Sequence, residues 1–233
     1  VQDYKELMTV VDVFGEPSPD NQLFLTCEHA GNLLPEHLEP EAHEWRWLED
    51  HWGWDIGARH LVRHLVELEE AHAVLSRFSR LICDPNRDLH QDNLVRTHVG
   101  EEPVSFNCDL SAEEIQARIE QYHRPYHRAV DDYLGRQVEL NPDIFLLSVH
   151  TFTPQLGDER RELEVGLVFG QDQPYVHDLA EAVEQQNFHV ELNEPYSGWD
   201  ELIYSVSRHG HNYDLRFVEI EVRNDLVAEK QQA

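Results

Sequence analysis

The chain has 233 residues, of which 40% are hydrophobic and 27% charged, a balance typical of a folded globular protein. Acidic residues number 46 and basic residues 18, so the formal net charge is -28. Because so acidic a surface repels phosphate groups, we expect neither nucleic acid nor an anionic membrane as a partner. Salt would screen the repulsion between these charges. We therefore expect a protein suited to a salty cytoplasm that loses stability at low salt.

Cysteine usage and hydropathy indicate a reducing compartment. The three cysteines, Cys27, Cys83 and Cys108, are widely spaced and form no CxxC pair, so we expect neither a disulfide framework nor a cysteine-rich zinc site. The first residues hold no basic segment followed by an apolar core, and no apolar run approaches the roughly 20 residues of a membrane-spanning helix. These features predict a cytoplasmic protein without a membrane partner, and they leave the oligomeric state open.

Apolar runs typical of buried strands alternate along the chain with segments of helical periodicity. The predicted strands cover 23–26, 73–78, 143–149, 164–170, 187–192 and 217–222. The predicted helices cover 36–70, 112–122, 125–140 and 175–186. Residues 1–20 are predicted to form an extended lead-in, and 89–110 a long loop. Strands separated by helices indicate a single α/β domain over 1–233, with a mostly parallel or mixed central sheet flanked by helices.

The stretch 21–35, NQLFLTCEHAGNLLP, places two titratable side chains directly after a predicted strand. Glu28 and His29 follow the apolar run, and Gly31 and Asn32 then break the pattern as a tight turn does. Open α/β sheets build their sites in this way, at the carboxyl ends of strands. Both side chains are suitable ligands for zinc or another divalent metal. The alternative interpretation is a surface acid beside a loop histidine.

The same arrangement recurs at two later strands. His150 follows an apolar run at the carboxyl end of a predicted strand, which would fix its position as a metal ligand. Glu219 and Glu221 share one face of the last predicted strand by its period of two. An acid inside a Val/Ile-rich strand is costly to bury unless it is paired or bound to a metal, so we expect one of them to be functional and favour Glu221. The alternatives are a hydrogen-bonded core histidine and an edge strand with a solvated acidic face.

Two further pairs of residues could complete such a site. His51 and Asp55 stand four apart at the start of a predicted helix and would project from one face of it, so either could supply a third metal ligand. Arg80 and Arg87 lie in the segment SRLICDPNRD. The planar fork of arginine binds carboxylates through two hydrogen bonds, so this loop could hold an acidic substrate. A helix cap and salt bridges within the loop are the alternatives.

Several common catalytic motifs are missing from the sequence. It holds no phosphate-binding glycine loop, no GxSxG elbow and no HExxH helix. Cys27 lies two residues from His29, which suggests hydrolysis by a thiol nucleophile as an alternative to metal chemistry. That alternative predicts inactivation by thiol alkylation and indifference to chelators.

Seven segments, in this order, resemble the motifs of the N-formylglutamate amidohydrolase family: CEHAGNLLP, HWGWDIGA, SRLICDPNRD, YHRPYHRAVD, SVHTFTP, NEPYSG and VEIEVRND. The resemblance extends over about residues 20–227. It implies an α/β fold similar to that of zinc-dependent exopeptidases and of phosphorylase/hydrolase-like proteins, and hydrolysis of an amide bond in a small acidic molecule. Matched residue by residue, the resemblance picks out His29, His51, Asp55, Arg80, Asp84, Asn86, Arg87, His150, Tyr196, Gly198, Glu221 and Arg223.

The residue patterns and the resemblance together predict a metal-dependent hydrolase of a small acidic N-acyl amino acid such as N-formylglutamate. The expected cofactor is Zn²⁺ or another divalent metal, held by His29 and His150 with a third ligand from Glu28, His51 or Asp55. It would lower the pKa of a bound water to roughly 7 and polarise the amide carbonyl.

The remaining predicted residues would handle the substrate. Glu221 would take a proton from the attacking water and pass it to the leaving nitrogen, and Tyr196 would donate to the oxyanion. The residues expected to bind the substrate are Arg80, Asn86, Arg87 and Arg223.

Two other functions are compatible with the same residues. One is a deacylase or amidohydrolase that acts on a different small acylated acid, which a panel of N-formyl and N-acetyl amino acids would reveal. The other is a non-catalytic homologue that binds a metal or a carboxylate without turnover.

Overall fold

A mixed β-sheet forms the centre of the computed structural model, which describes residues 10–157, 159–171, 173–200 and 202–227. In chain order the strands of these ranges are β1 (Val11–Phe14), β2 (Leu23–Cys27), β3 (His72–Ser76), β4 (His98–Val99), β5 (Glu102–Pro103), β6 (Phe145–Phe152), β7 (Gln155–Leu156), β8 (Glu159–Arg160), β9 (Val165–Val168), β10 (Val190–Leu192) and β11 (Arg216–Arg223). Seven of these described strands form one sheet in the order β1-β3-β2-β6-β11-β9-β10. The pairs β4–β5 and β7–β8 form two small separate sheets.

The four central strands of the sheet, β3, β2, β6 and β11, run parallel, so their carboxyl ends meet at one edge. Strand β1 on one side, and β9 with β10 on the other, run antiparallel to them. The register places Glu221 of β11 beside His150 of β6. The predicted α/β fold with a mixed central sheet is therefore confirmed, and the edge where its parallel strands end is where such sheets carry their sites.

Helices cover both faces of the sheet. In the described ranges they are α1 (Trp45–Glu49), α2 (Ala58–Glu69), α3 (Ala112–Arg118), α4 (Arg124–Leu140), α5 (Pro174–Glu184) and α6 (Tyr204–Asn212). A π-helical segment, Ile119–His123, joins α3 to α4, and short 3₁₀ turns cover Ser105–Asn107, Gly198–Asp200 and Asn224–Leu226. Successive strand residues face opposite ways. Phe24 of β2 accordingly packs in one core cluster with Val130 of α4, whereas Leu25 packs in another with Val62 of α2.

The prediction of one helical segment over 36–70 is wrong at its start, where residues 36–44 form turns and coil, and in its centre, where a turn separates α1 from α2. Gly57 has a φ of +89°, and a Cβ atom at Gly53 would lie 2.8 Å from the backbone of α1. Glycine is the residue that tolerates both conditions. The turn brings the amide nitrogen of Asp55 to 2.8 Å from the carbonyl oxygen of His29. Asp55 therefore lies in a loop beside β2 and not on the face of a helix.

Several elements were not expected from the sequence: β4 and β5 within the predicted loop 89–110, β7 and β8 after β6, strand β1 and helix α6. Strand β1 lies inside the predicted lead-in 1–20, of which residues 1–9 are outside the described ranges. It is a short edge strand that pairs with β3 alone, so its apolar pattern is brief. Helix α6 buries Ser205, Val206, His209 and Gly210, a face with too few apolar residues to show helical periodicity. Within the described ranges, no helix is both long and apolar enough to cross a membrane.

Candidate active site

Titratable side chains from several segments meet at the carboxyl edge of the sheet. Strand β2 leads into Glu28 and His29, β6 carries His150, and β11 carries Glu219 and Glu221. The loops that follow α1 and β3 add Asp55, Arg80, Asp84, Asn86 and Arg87. The carboxyl groups and both histidine rings are buried. Groups of this kind are stable in the interior only when they are paired, neutralised or bound to a metal.

Asp84 holds the ring of His29 in one tautomer. The Nε2 atom of His29 lies 2.7 Å from Asp84 Oδ1, so the ring donates its Nε2 proton to this carboxylate. Arg80 donates to the second oxygen of Asp84 at 3.1 Å. Burial acts to raise the pKa of Asp84, but His29 and Arg80 hold it well below its usual range. The Nδ1 atom of His29 is buried, has no hydrogen-bond partner among the described residues and lies 3.5 Å from Asp55 Oδ2.

Glu28 holds the ring of His150 in the same manner. The Nε2 atom of His150 lies 2.9 Å from Glu28 Oε2, and its Nδ1 atom lies 2.7 Å from Asp55 Oδ2. Glu28 also accepts hydrogen bonds from the hydroxyl groups of Tyr126 at 2.8 Å and Ser148 at 2.6 Å. Burial acts to lower the pKa of His150, but the surrounding carboxylates raise it well above its usual range. Both site histidines thus have a carboxylate behind the ring and direct Nδ1 towards Asp55.

These three residues form a group that could hold a metal ion. One ligand atom from each of His29, Asp55 and His150 lies within 4.8 Å of the others. Two imidazole nitrogens and one carboxylate oxygen are the donor set that zinc sites commonly use. A carboxylate behind each imidazole is also the usual way in which proteins orient metal-binding histidines. The Nδ1 atom of His29 fits such an ion, because it is buried, lies 3.5 Å from Asp55 Oδ2 and has no hydrogen-bond partner in the described chain.

The two other candidates for a third ligand lie elsewhere. Glu28 is fully buried behind His150, where its two oxygens accept the hydrogen bonds of Tyr126 and Ser148. His51 lies in the turn after α1, is partly exposed, and places Nδ1 2.9 Å from Asp50 Oδ1. Neither residue belongs to the group of converging ligand atoms in the described chain. The geometry therefore favours Asp55 over Glu28 and His51.

Glu219 and Glu221 differ in their contacts. Glu219 Oε2 accepts a hydrogen bond from the Asn86 side chain at 3.1 Å and lies 3.5 Å from His150 Nε2. Glu221 Oε2 is buried and has no hydrogen-bond partner among the described residues. Burial raises the pKa of Glu221 well above its usual range, and Asp55 and Glu219 add to this effect against the opposing charge of His150. A buried carboxyl group with a raised pKa and a free oxygen is typical of a general acid or base.

The four residues expected to bind substrate have different surroundings. Arg80 is partly exposed and contacts both Asp55 and Asp84. Arg87 donates from Nη1 to the carbonyl oxygen of Asn86 at 3.0 Å, while its buried Nε has no partner in the described chain. The Asn86 side chain binds Glu219, as described above.

Arg223 is placed apart from the other three. Its guanidinium donates to the carbonyl oxygens of Arg161, Glu162 and Leu163 and to the carboxylate of Asp225. Because these hydrogen bonds use the guanidinium of Arg223 to hold the backbone of residues 161–163, a structural role fits Arg223 better than substrate binding.

Tyr196 lies on a loop that crosses β9 next to Glu221. Gly166 of β9 pairs with Glu221 across the sheet, and a Cβ atom at Gly166 would lie 1.9 Å from the carbonyl oxygen of Glu194 in this loop. Tyr196 is 39% exposed. The pKa of its hydroxyl is raised, by partial burial and by the nearby Glu221 carboxylate. Tyr196 is therefore within electrostatic reach of Glu221 at the solvent side of the site.

Cys27 lies in the core cluster under α2 and is fully buried. Burial raises the pKa of its thiol far above the usual value, and a protonated thiol is a poor nucleophile. These findings argue against the thiol mechanism.

The sequence pattern missed the two hydroxyl groups that hold Glu28. Ser148 is a polar residue inside the apolar run of β6, and a buried hydroxyl of this kind needs a hydrogen-bond partner. Tyr126 lies in the segment YHRPYHRAVD, but nothing in that motif pairs its hydroxyl with Glu28.

Two histidines, five carboxyl groups and two arginines meet at the carboxyl edge of the parallel strands, the position at which α/β enzymes carry their sites. The family model described as N-formylglutamate amidohydrolase matches residues 21–228. The chain belongs to this family of hydrolases, which act on amide bonds, and the resemblance seen in the sequence is confirmed.

Two solved structures share the fold. The gene product Atu2144 from Agrobacterium tumefaciens superposes with a TM-score of 0.84 at 27% identity, covering 96% of this chain and 88% of that chain. The N-formylglutamate amidohydrolase from Ralstonia eutropha JMP134 superposes with a TM-score of 0.73 at 19% identity, covering 93% of this chain and 86% of that chain. A search of curated proteins found no match.

Proposed function

We propose that this protein is a metal-dependent amidohydrolase that removes the formyl or another acyl group from a small acidic N-acyl amino acid, with N-formylglutamate as the first substrate to test. The observation that carries the proposal is the convergence of His29, Asp55 and His150, whose ligand atoms lie within 4.8 Å of one another. Membership of the family supports the amide-bond chemistry. The arginines of the same sheet edge support an acidic substrate.

The donor set suits Zn²⁺ best among the common divalent metals, because imidazole nitrogen and carboxylate oxygen are ligands that zinc accepts together. His29 and His150 would bind through Nδ1, since Asp84 and Glu28 occupy their Nε2 atoms. When bound, such an ion lowers the pKa of a coordinated water to roughly 7 and polarises a carbonyl group.

Glu221 is placed to move the protons of the reaction. Its Oε2 atom, which has no partner among the described residues, can accept a proton from the attacking water, and the raised pKa of the carboxyl group favours holding that proton. The same carboxyl group can then donate to the leaving amine nitrogen. Glu219 is less suited to this role, because its Oε2 atom is already bonded to Asn86.

Arg87 and Arg80 would bind and orient the substrate. Arg87 keeps a buried, unpartnered Nε–H donor, and a substrate carboxylate is the group that satisfies such a donor. Arg80 lies between Asp55 and Asp84, next to the proposed metal ligands, and is partly open to solvent. Tyr196 would donate its hydroxyl to the oxyanion that forms on the carbonyl, since this hydroxyl lies within electrostatic reach of Glu221 and its side chain is partly open to solvent.

The test combines metal analysis with turnover of N-formylglutamate before and after chelation. We expect about one zinc per chain, loss of turnover on chelation and recovery on adding zinc. An Asp55→Ala variant should lose the metal, whereas the matched His51→Ala variant should keep it. Metal-free protein with full turnover would refute the proposal. Bound metal without turnover of any N-formyl or N-acetyl amino acid would instead point to a non-catalytic binding protein.

A further inference from the structure

A cluster of buried histidines lies behind the loop 84–87, outside the residues assigned so far. His123 ends the π-helical segment, His127 lies on α4, and His209 lies on α6. The three rings are 2%, 4% and 0% exposed. Ring centroids are 4.5 Å apart for His123 and His127, and 5.2 Å apart for His127 and His209. Neither the proposed metal site nor the proposed chemistry uses them.

Two of these rings bind the loop through its backbone. His123 Nε2 lies 2.9 Å from the carbonyl oxygen of Arg87, and His127 Nε2 lies 3.0 Å from that of Pro85. A carbonyl oxygen can only accept, so each ring must carry its proton on Nε2 and donate it. Burial lowers the pKa of both rings, which keeps them neutral at neutral pH. The two hydrogen bonds lie on either side of Asn86.

His209 lies against the second ring nitrogen of His127. The Nδ1 atom of His127 lies 2.9 Å from His209 Nε2, and Arg208 Nη1 lies 3.0 Å from that same His209 atom. His209 Nδ1 lies 2.9 Å from Asp131 Oδ1. These contacts fix the position of the His209 ring behind His127, while the carbonyl oxygen of Pro85 assigns the proton of His127 to Nε2.

We propose that His123 and His127 are positioning residues that hold Asn86 and Arg87 in place by donating from Nε2 to the carbonyl oxygens on both sides of Asn86. The loop matters because Asn86 binds Glu219 and Arg87 carries the unpartnered donor described above. The expected effect on substrate binding rests on the proposed function of Arg87. The expected effect on the position of the loop is independent of that function. In the competing view, the three rings only fill the space between α4 and α6.

The first test is independent of activity. Hydrogen exchange would be measured at the amides of Asn86 and Arg87, which donate to Asp84 at 2.9 and 3.2 Å. Replacing His127 by Leu removes the donor, whereas His127→Gln keeps an amide N–H near the position of Nε2. We expect exchange about tenfold faster in the Leu variant, as for the loss of one hydrogen bond, and recovery in the Gln variant. Val130→Ala, at a fully buried position of α4, controls for general destabilisation.

The second test measures the protonation of the His127 ring nitrogens and the kinetics with N-formylglutamate. In protein labelled with ¹⁵N-histidine, His127 should show a protonated Nε2 and an unprotonated Nδ1. His123→Leu and His127→Leu should each raise the KM for N-formylglutamate more than they lower kcat. A protonated Nδ1 on His127, or exchange at Asn86 and Arg87 no faster than in Val130→Ala, would overturn the proposal. If the wild-type protein does not hydrolyse N-formylglutamate, the proposed function fails, and the exchange and ring spectra still decide this inference.

Discussion

The hydroxyl group of Tyr126 lies 2.8 Å from Glu28 Oε1 and so joins α4 to the acid that follows β2. The other oxygen of Glu28 meets His150 Nε2 at 2.9 Å. Tyr126 therefore acts on the proposed metal ligand through one intervening carboxylate. A carboxylate behind an imidazole fixes both the tautomer and the direction of the ring. A change at Tyr126 should therefore alter the affinity of His150 for the proposed metal.

We expect Tyr126→Phe to weaken zinc binding by about tenfold, the lower end of the range for such supporting contacts. The phenylalanine ring would fill the same space, so the folded structure should be kept. Competition with a chelating indicator would measure the affinity. Tyr133→Phe, on the same helix but with its ring against His72, is the matched control. Equal affinities for zinc in the two variants would show that Tyr126 does not support His150.

Glu221→Gln should reduce turnover by about 10²–10⁴-fold while the zinc content stays unchanged, because the amide cannot accept the proton of the attacking water. Steady-state kinetics and metal analysis on one preparation would measure both quantities. Glu219→Gln is the comparison, since an amide oxygen at this position can still accept the hydrogen bond of Asn86. We expect Glu219→Gln to lose less turnover than Glu221→Gln. A larger loss in Glu219→Gln would identify Glu219 as the general base instead.

Arg87→Lys should raise the KM for N-formylglutamate by about tenfold, because a lysine keeps the charge but loses the planar fork that binds a carboxylate at two points. The KM for an N-formyl amino acid with an uncharged side chain should change less. Arg223→Lys is a useful contrast, since its guanidinium binds backbone carbonyl groups. That variant should lower the melting temperature with little change in KM. An unchanged KM in Arg87→Lys would exclude Arg87 from carboxylate binding.

His72 should make the protein sensitive to acid. Its ring is buried between Phe24 and Tyr133, and neither ring nitrogen has a hydrogen-bond partner in the described chain. Burial, aided by the charge of Arg136, lowers the pKa of His72 from its usual 6.5 to about 4. Because the unfolded chain then binds the proton more tightly, this contribution to stability is complete above pH 6.5 and is lost as the pH falls towards 4.

The matching variant is His72→Phe, which has no titrating group and a similar ring. Its free energy of unfolding, measured by urea denaturation across this pH range, should fall less steeply than that of the wild type. Parallel curves for the two proteins would show that His72 does not titrate in this window.

The net charge of -28 predicts that salt stabilises the folded chain, because ions screen the repulsion among surface carboxylates. We expect the melting temperature to rise from dilute buffer to molar sodium chloride. The effect should be similar in Glu221→Gln, whose altered group is buried. A flat melting temperature over this range would contradict the expectation of a protein adapted to salt.

One feature of the sequence, the apolar runs of the buried strands, predicts both the fold and part of the site. Apolar runs mark the buried parallel strands, and polar residues that directly follow those runs must lie at the carboxyl edge. His29, His150 and Glu221 could be found in this way. The choice of Asp55 over Glu28 and His51 as the third ligand could not, because it depends on the turn between two helices that the apolar pattern suggested were one.

The partners of Glu28 were beyond the sequence for a different reason. Tyr126 and Ser148 are 98 and 120 residues away from it along the chain. Hydrogen bonds between such distant residues depend on how the strands and helices are ordered in space, and no local pattern encodes that order. The same holds for His127 and His209, which are 82 residues apart.

The turn between α1 and α2 also limits how the protein can be engineered for heat resistance. Glycines inside a helix-like stretch are common targets for exchange to alanine, because the exchange reduces the freedom of the unfolded chain. At Gly57 the new methyl group would meet Val227 at 2.6 Å with the backbone in a left-handed conformation. At Gly53 it would meet the backbone of α1. Either exchange would displace the loop that delivers Asp55, so a routine stabilising design would be expected to yield a folded but inactive protein.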